Sequence, residues 1–201
     1  WGWRALHLAA VFLLPTWGMR IATLLSWPFW FDVSAGNLMI FIAVAGVWAF
    51  RGSALGTVAF FALALLVPRP LMLPLVAWIL WQRPAWRIPF AVLFIGHVAA
   101  VLASGWADDW VMRLLAAGPE ELESELNFAP SRLIGNLWLI VAVPAAVWLT
   151  VRGWVGAASV MAAPYWLPYY WLMLLLDWDR AVAVMRRDRT ARPSLSAGRV
   201  R

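Results

Sequence analysis

The hydrophobic positions of this chain form continuous runs that short polar turns separate. The runs are rich in Leu, Ala, Val and Trp and recur along most of the sequence. A half-buried strand alternates apolar and polar residues, whereas long uninterrupted apolar runs are typical of helices that are buried or lie in lipid. The pattern therefore predicts an all-α fold.

The clearest runs predict three helices, at residues 36–50, 88–104 and 133–151. The run at 5–15 is too short to cross a bilayer by itself. Residues 17–31 are rich in Trp and Phe, which are typical of the headgroup level of a membrane. We expect this aromatic stretch to lie near the membrane surface.

Prolines interrupt two further apolar segments, 54–81 at residues 68–70 and 154–176 at Pro164 and Pro168. A proline removes a backbone donor and disfavours helical geometry in the residue before it. We therefore expect each segment to form two short helices that turn back at the break.

The segment 105–132 is polar and mostly acidic, and we expect an extracytoplasmic loop there. Within it Trp106, Trp110 and Leu114 recur at intervals of four residues. This spacing predicts one amphipathic helix lying in the membrane interface. The adjacent Asp108 and Asp109 point about 100° apart on a helix, so we interpret them as capping residues rather than a catalytic pair.

Composition extends the helical prediction to a membrane protein. Of the 201 residues, 64% are hydrophobic and 13% are charged, against about half and a quarter in soluble domains. The predicted fold is a polytopic transmembrane helical bundle, with residues 1–176 as the transmembrane domain and 177–201 as an irregular, Arg-rich cytoplasmic tail. The chain begins at Trp1 rather than Met, and we expect it to be the carboxyl-terminal part of a larger protein.

The positions of the basic residues predict how the chain is oriented in the membrane. All sixteen of them are Arg. If both proline-broken segments turn back, twelve arginines share the side of the tail, as the positive-inside rule requires of a bacterial cytoplasmic membrane protein. The four on the outer side are Arg20, Arg69, Arg113 and Arg132. Membrane orientation accounts for the basic charge, so no nucleic-acid partner is expected. Each half-segment reaches only about 20 Å against a core of about 30 Å, which requires a recess in the outer leaflet.

Several landmarks then occur in a recognisable order. The early ones are a Gly-Asn pair that opens a helix, a small Arg turn and an Arg-Pro pair: Gly36-Asn37, Arg51-Gly52 and Arg69-Pro70. The later ones are Asn127, Ser131, Gly135, Pro164 and Tyr169-Tyr170-Trp171. Over most of residues 30–176 this order resembles the carboxyl half of glycosyltransferase family 87. The family has Lys-Pro where this chain has Arg-Pro, and the Gln of its Gly-Gln pattern is absent here.

The resemblance implies a C-type glycosyltransferase, a multi-pass enzyme that takes a sugar from a polyprenyl-phosphate carrier outside the cytoplasm. It implies transfer of a mannose- or arabinofuranose-like sugar, with inversion, to a glycolipid or polysaccharide acceptor. The general base would be an Asp in the first outer loop, which precedes this chain. No catalytic residue is therefore assigned here, and no cofactor is expected.

Four residues are candidates for donor binding. Arg69 can give a carrier phosphate two parallel hydrogen bonds, although an Arg at a helix end can also extend to lipid headgroups. For Asn37, a role in donor binding is implied by the family resemblance alone. Tyr165 and Tyr169 can pack on a sugar ring or an isoprenoid chain, or form an interfacial aromatic belt.

The remaining ionisable residues indicate no metal site. His97 is expected to hydrogen-bond a neighbouring helix, and His7 carries no functional signal. Asp32 could contact a sugar hydroxyl, although an interfacial loop carboxylate fits its position better. No second His or carboxylate stands at ligand spacing from either His.

Two other functions stay open. Broken helices also form substrate sites in transporters, and a lipid or solute carrier would show internal repeats. A non-catalytic membrane subunit would equally combine Trp-rich helices with the absence of a catalytic pair.

Overall fold

The computed structural model describes residues 1–66, 70–106 and 125–191. Within these ranges the chain forms eleven α-helices and no strand, which confirms the predicted all-α class. The α-helices are α1 Gly2–Phe12, α2 Trp17–Leu25, α3 Trp27–Ala35, α4 Met39–Phe50, α5 Ala54–Leu66, α6 Leu73–Gln82, α7 Arg87–Ala103, α8 Ser131–Ile134, α9 Trp138–Val151, α10 Val155–Ala162 and α11 Trp178–Ala191. The 3₁₀ helices are Pro70–Met72, Pro84–Trp86, Gly135–Leu137 and Pro168–Asp177.

Both predicted proline breaks are present. Helix α5 is described as far as Leu66 and residues 67–69 lie outside the described part, but Pro70 begins a 3₁₀ turn before α6, so no continuous α-helix joins the two halves. Helix α10 ends at Ala162, and helical structure returns only at Pro168. That second half is a ten-residue 3₁₀ helix, although 3₁₀ runs beyond three or four residues are uncommon.

Two predicted helix boundaries were wrong, and each error lies at a glycine. The helix expected at 36–50 begins only at Met39, because Gly36 adopts φ 66° as the carboxyl-terminal cap of α3. The helix expected at 133–151 is interrupted at Gly135, which has φ 57°. A positive φ disfavours other residue types, so the backbone turns where glycine allows it.

Helix length does not show the expected set of membrane spans. Within the described ranges one helical stretch, Pro84–Ala103, is long and apolar enough to cross a bilayer, and none of it is buried. The apolar helices α4, α5 and α9 are shorter, with 12, 13 and 14 residues. A polytopic bundle therefore remains a proposal.

The carboxyl-terminal segment differs from the expected irregular tail, since residues 178–191 form helix α11. Residues 192–201 lie outside the described part. The predicted interfacial helix also falls on undescribed residues, apart from Trp106, which is exposed.

Helix α4 lies at the centre of the core. Nine of its twelve residues are buried, and it packs against α5 and the 3₁₀ helix Pro168–Asp177. Phe60 of α5 and Met173 of the 3₁₀ helix are fully buried in the same cluster. Burying each such side chain contributes about 1.5–3 kcal/mol.

One end of the helical array, the arginine end, collects most of the described arginines. Arg83 donates to the carbonyl oxygens of Ala49 and Phe50 at 2.7 and 2.9 Å, and Arg51 pairs with Asp179 at 2.6 Å. These contacts place the carboxyl ends of α4 and α6 beside the start of α11. The arginines of this end are Arg20, Arg51, Arg83, Arg87, Arg152 and Arg180.

The first two helices run opposite to the expected direction. Helix α1 begins beside the amino end of α4, because His7 contacts the carbonyl of Asn37. Its carboxyl end meets the other end of α4, where the Trp48 indole donates to Leu13 O at 2.8 Å. Arg20, which donates to Leu14 O, therefore lies at the arginine end, while Arg4 lies at the other. Arg4 and Arg20 thus lie on the sides opposite to those predicted, while Arg69 and Arg113, which were expected on the outer side, lie outside the described residues.

Candidate binding site

The end opposite the arginines brings together both proline breaks, and we call it the proline end. It contains the turn at 36–38, the 3₁₀ helix Pro70–Met72, residues 125–131 and the break at 163–168. The backbone N–H of Phe128 donates to Trp166 O at 3.0 Å. This bond joins the segment after the acidic region to the second break.

Asn127 fixes that junction. Its Oδ1 accepts hydrogen bonds from the backbone N–H groups of Ala129 and Trp166, both at 2.9 Å. Its Nδ2 donates to Ser131 Oγ at 3.2 Å. Two landmarks of the resemblance, Asn127 and Ser131, thus meet in the structure, where they hold the backbone.

The candidate tyrosines belong to one aromatic cluster at the proline end. Tyr169 stacks on Phe31 with ring centroids 5.9 Å apart, and Tyr170 packs against Tyr165 at 5.8 Å. Tyr169 is 7% exposed, whereas Tyr165 is half-buried. Tyr165 is therefore the more accessible of the two for a ligand.

Asn37 stands in the turn between α3 and α4. Its backbone N–H donates to Asp32 O at 3.1 Å, and its side-chain Oδ1 accepts from the N–H of Leu38 at 3.0 Å. The side chain is half-buried. The turn thus holds the Asn37 carboxamide in one orientation at the rim of the proline end.

Asp32 is a buried helix cap, so the expectation of an interfacial or sugar-contacting carboxylate was wrong. It is fully buried. Its Oδ1 accepts from the N–H of Met39 at 3.2 Å and its Oδ2 from that of Ile40 at 2.9 Å. The carboxylate satisfies orphan donors in the first turn of α4 and lies favourably at the positive end of the helix dipole.

His7 is a site residue that the sequence did not reveal. Its ring is fully buried. Nδ1 lies 3.0 Å from Trp3 O, Nε2 lies 2.9 Å from Asn37 O, and Nε2 is 3.6 Å from Asp32 Oδ2. His7 and Asp32 are 25 positions apart in sequence, and no spacing rule relates them.

Two groups of residues to which the sequence analysis assigned a role lie outside the described part. Arg69 is one, although Pro70, which follows it, lies at the proline end. Asp108 and Asp109 form the other. His97 is described on α7, where its side chain is half-buried.

An apolar groove of about 620 Å³ runs between α6, α9 and α10. Pro70 and Pro164 line it at the proline end, and Trp81 and Val151 line it at the arginine end. Its Thr150 hydroxyl donates to Ala146 O at 2.7 Å, so the wall offers little polarity to a ligand. The groove suits a long apolar chain rather than a polar solute.

The residues that could hold a metal are sparse. Among residues 1–66, 70–106 and 125–191, no group of three or more His, Asp or Glu side chains converges on one point. The chain contains no Cys.

Fold and site together define an all-α protein with an apolar groove beside two proline breaks. Comparisons with protein-family models, with curated proteins and with solved structures found no match.

Proposed function

We propose that this chain is part of a polytopic glycosyltransferase of the bacterial cytoplasmic membrane. The enzyme transfers a mannose- or arabinofuranose-like sugar from a polyprenyl-phosphate donor to a glycolipid or polysaccharide acceptor. The observation that carries the proposal is the apolar groove that ends at both proline breaks.

Exposed apolar surface supports the membrane part of the proposal. Large apolar side chains are exposed on several helices, including Leu55 at 80%, Ile88 at 76% and Ile140 at 70%. Soluble monomers rarely expose large contiguous apolar areas, and such areas mark membrane or protein interfaces. In this proposal the lipid bilayer covers them.

The common end of the two breaks supports a turned-back topology. Each broken segment leaves the arginine end, reaches its prolines and returns, so both halves of each segment run antiparallel. A break in lipid is tolerated only where protein or water covers it. A recess at the proline end provides that cover and admits a lipid-borne substrate.

The groove supports a polyprenyl donor in particular. Its apolar wall fits an isoprenoid chain, and Pro70 at its mouth directly follows Arg69. In this proposal the Arg69 guanidinium binds the carrier phosphate, while Asn37 and Tyr165 contact the sugar.

The catalytic base is assigned to an upstream outer loop. Asp32 is unsuited to that role, because both of its oxygens accept backbone N–H groups in a fully buried position.

A transporter is the first alternative. Transporters of known type place broken helices near the bilayer midplane, whereas these breaks meet at one end of the array. A non-catalytic subunit is the second alternative, and the use of Asp32 as a cap favours it. Assay of the complete protein separates these alternatives.

Topology is tested first by cysteine labelling, because the natural chain has no Cys. Single substitutions Ser104→Cys and Phe128→Cys stand near the proline end, and Arg152→Cys stands at the arginine end. We expect an impermeant maleimide added to intact cells to label the first two and not the third. Labelling of all three from one side would remove the recess and the proposal with it.

Donor binding is tested by Arg69→Ala in the complete protein, with sugar transfer from a polyprenyl carrier as the assay. Loss of a charge-assisted hydrogen bond of about 1.5–3 kcal/mol predicts a decrease in transfer of roughly tenfold or more. Arg132→Ala, an exposed arginine outside the groove, is the matched control and should leave transfer unchanged. Equal activity of both variants would contradict the role of Arg69.

A further inference from the structure

We propose that His7 is held as an imidazolium and, together with Asp32, positions the Asn37 turn. The positioning role rests on the proposed function, because Asn37 matters there as a donor contact. The charge on the ring does not depend on that function.

Hydrogen-bond chemistry carries the inference. Both ring nitrogens face backbone carbonyl oxygens, Trp3 O at 3.0 Å and Asn37 O at 2.9 Å. A carbonyl oxygen only accepts hydrogen bonds, so each nitrogen must carry a hydrogen to satisfy both contacts. A neutral imidazole has one N–H and one bare lone pair. Only the cation donates at both positions.

The charge of Asp32 completes the arrangement. Each of its oxygens accepts a backbone N–H, as an ionised carboxylate does. His7 Nε2 lies 3.6 Å from Asp32 Oδ2, and both side chains are fully buried. A single buried charge is costly, whereas a hydrogen-bonded pair of opposite charges compensates much of its desolvation.

Aromatic rings enclose the pair. The Trp3 and Phe41 rings both lie edge-on to His7, with centroids 4.7 and 5.1 Å away. Among the described elements packed on α1, helix α3 supplies Asp32, helix α2 has its Arg20 at the opposite end, and α4 contains no ionisable residue. On α1 itself, Arg4 lies over the Trp1 ring at 5.8 Å.

The pair connects three elements at the proline end. His7 belongs to α1, Asp32 to α3, and the atoms they bind belong to the turn and the start of α4. Loss of one ring proton would place a lone pair opposite a carbonyl oxygen. One of the two hydrogen bonds of the His7 ring would then be lost. The turn that carries the Asn37 carboxamide would then lose its contact with α1.

The ring charge is tested by nitrogen NMR of the ¹⁵N-histidine-labelled full chain in lipid bilayers, with His97→Gln used to assign the two histidines. We expect both His7 nitrogens to show a directly bonded hydrogen at neutral pH. One bare nitrogen in His7 would overturn the inference. Asp32→Asn removes the counter-charge and should convert the ring to a neutral tautomer.

The positioning role is tested by His7→Gln in the sugar-transfer assay of the complete protein. Loss of one buried contact to the turn should raise the KM for the polyprenyl donor about tenfold with a smaller change in kcat. An unchanged KM alongside a cationic ring in the wild type would overturn the positioning role. Absence of transfer in the wild type would reject the proposed function and this role together, while the spectrum still decides the ring charge.

Discussion

At the scale of single residues, buried carboxylates in this protein hold helix ends. Asp177 repeats the arrangement of Asp32: its oxygens accept from the N–H groups of Gly156 at 2.9 Å and Ala157 at 2.7 Å. It is 5% exposed. Each carboxylate thereby joins the first turn of one helix to the end of another, which is a role in folding.

Substitution Asp177→Asn should destabilise the protein. Asparagine keeps one acceptor oxygen but turns an N–H₂ group toward a backbone N–H, which leaves a buried donor unsatisfied. We expect a loss of roughly 1–3 kcal/mol in the free energy of unfolding. Thermal unfolding of the purified chain in detergent measures it.

Asp179→Asn provides the matched control two residues away. Asp179 pairs with Arg51, but its side chain is 59% exposed, and exposed pairs contribute about 0–1 kcal/mol. Equal destabilisation by the two variants would show that the buried cap at Asp177 contributes no more to stability than the exposed pair of Asp179 with Arg51.

Only part of the arrangement of residues at the proline end was predictable from the sequence. The sequence marked Asn37 through the family resemblance and Tyr165 and Tyr169 through the second proline break, and the structure places all three at the proline end. The pairing of His7 with Asp32 was not predicted, because that contact depends on how α1 packs against the turn after α3. Local pattern carries no information about such packing.

At the scale of elements, proline breaks were predictable and glycine breaks were not. A proline acts through its own ring and missing N–H, so its effect is readable at any position. A glycine permits a turn without requiring one, so Gly135, which adopts φ 57°, gave no comparable signal. The 3₁₀ form of Pro168–Asp177, which packs against α4, was not predicted either.

Close packing of α4 against α5 predicts a cost for Gly56→Ala. A Cβ at Gly56 would lie 2.8 Å from the backbone nitrogen of Ala49, a contact that forces the helices apart. We expect a destabilisation of about 1–3 kcal/mol, as for other overpacked positions. Thermal unfolding under the same conditions measures the change.

Gly96→Ala tests the same substitution without the contact. No atom lies within 4 Å of a Cβ built at Gly96 of α7, and alanine is favoured over glycine within helices by about 1 kcal/mol. This variant should be neutral or more stable. A loss as large as that of Gly56→Ala would attribute both effects to the helical backbone instead of to helix packing.

At the scale of the whole molecule, most of the described arginines lie at one end, whereas the arginine count predicted which side of a membrane each end faces. The exchange of Arg4 and Arg20 was not predicted, because the apolar run at residues 5–15 is too short for its length to indicate a direction. A rule based on totals does not register an exchange of two members, so the sides predicted for Arg4 and Arg20 were wrong, and the orientation itself stays a prediction.

The lengths of the helices lead to a prediction about the bilayer itself. Helices α4, α5 and α9 have 12, 13 and 14 residues and therefore rise only about 18–21 Å, against a hydrocarbon core of about 30 Å. The single stretch of 20 residues, Pro84–Ala103, matches an ordinary bilayer. Most of the array is thus thinner than the membrane proposed to hold it, and mismatch costs a fraction of a kcal/mol per Å.

We therefore expect the reconstituted protein to unfold at higher temperature as the acyl chains of the lipid shorten from eighteen to fourteen carbons. Thermal unfolding in bilayers of phosphatidylcholines that differ only in chain length measures this dependence. A membrane protein whose spans all reach about twenty residues serves as the control and should show no such gain. A thick bilayer increases the mismatch of short helices that span it. If stability were nevertheless highest in the thickest bilayer, the short helices would not lie across the membrane.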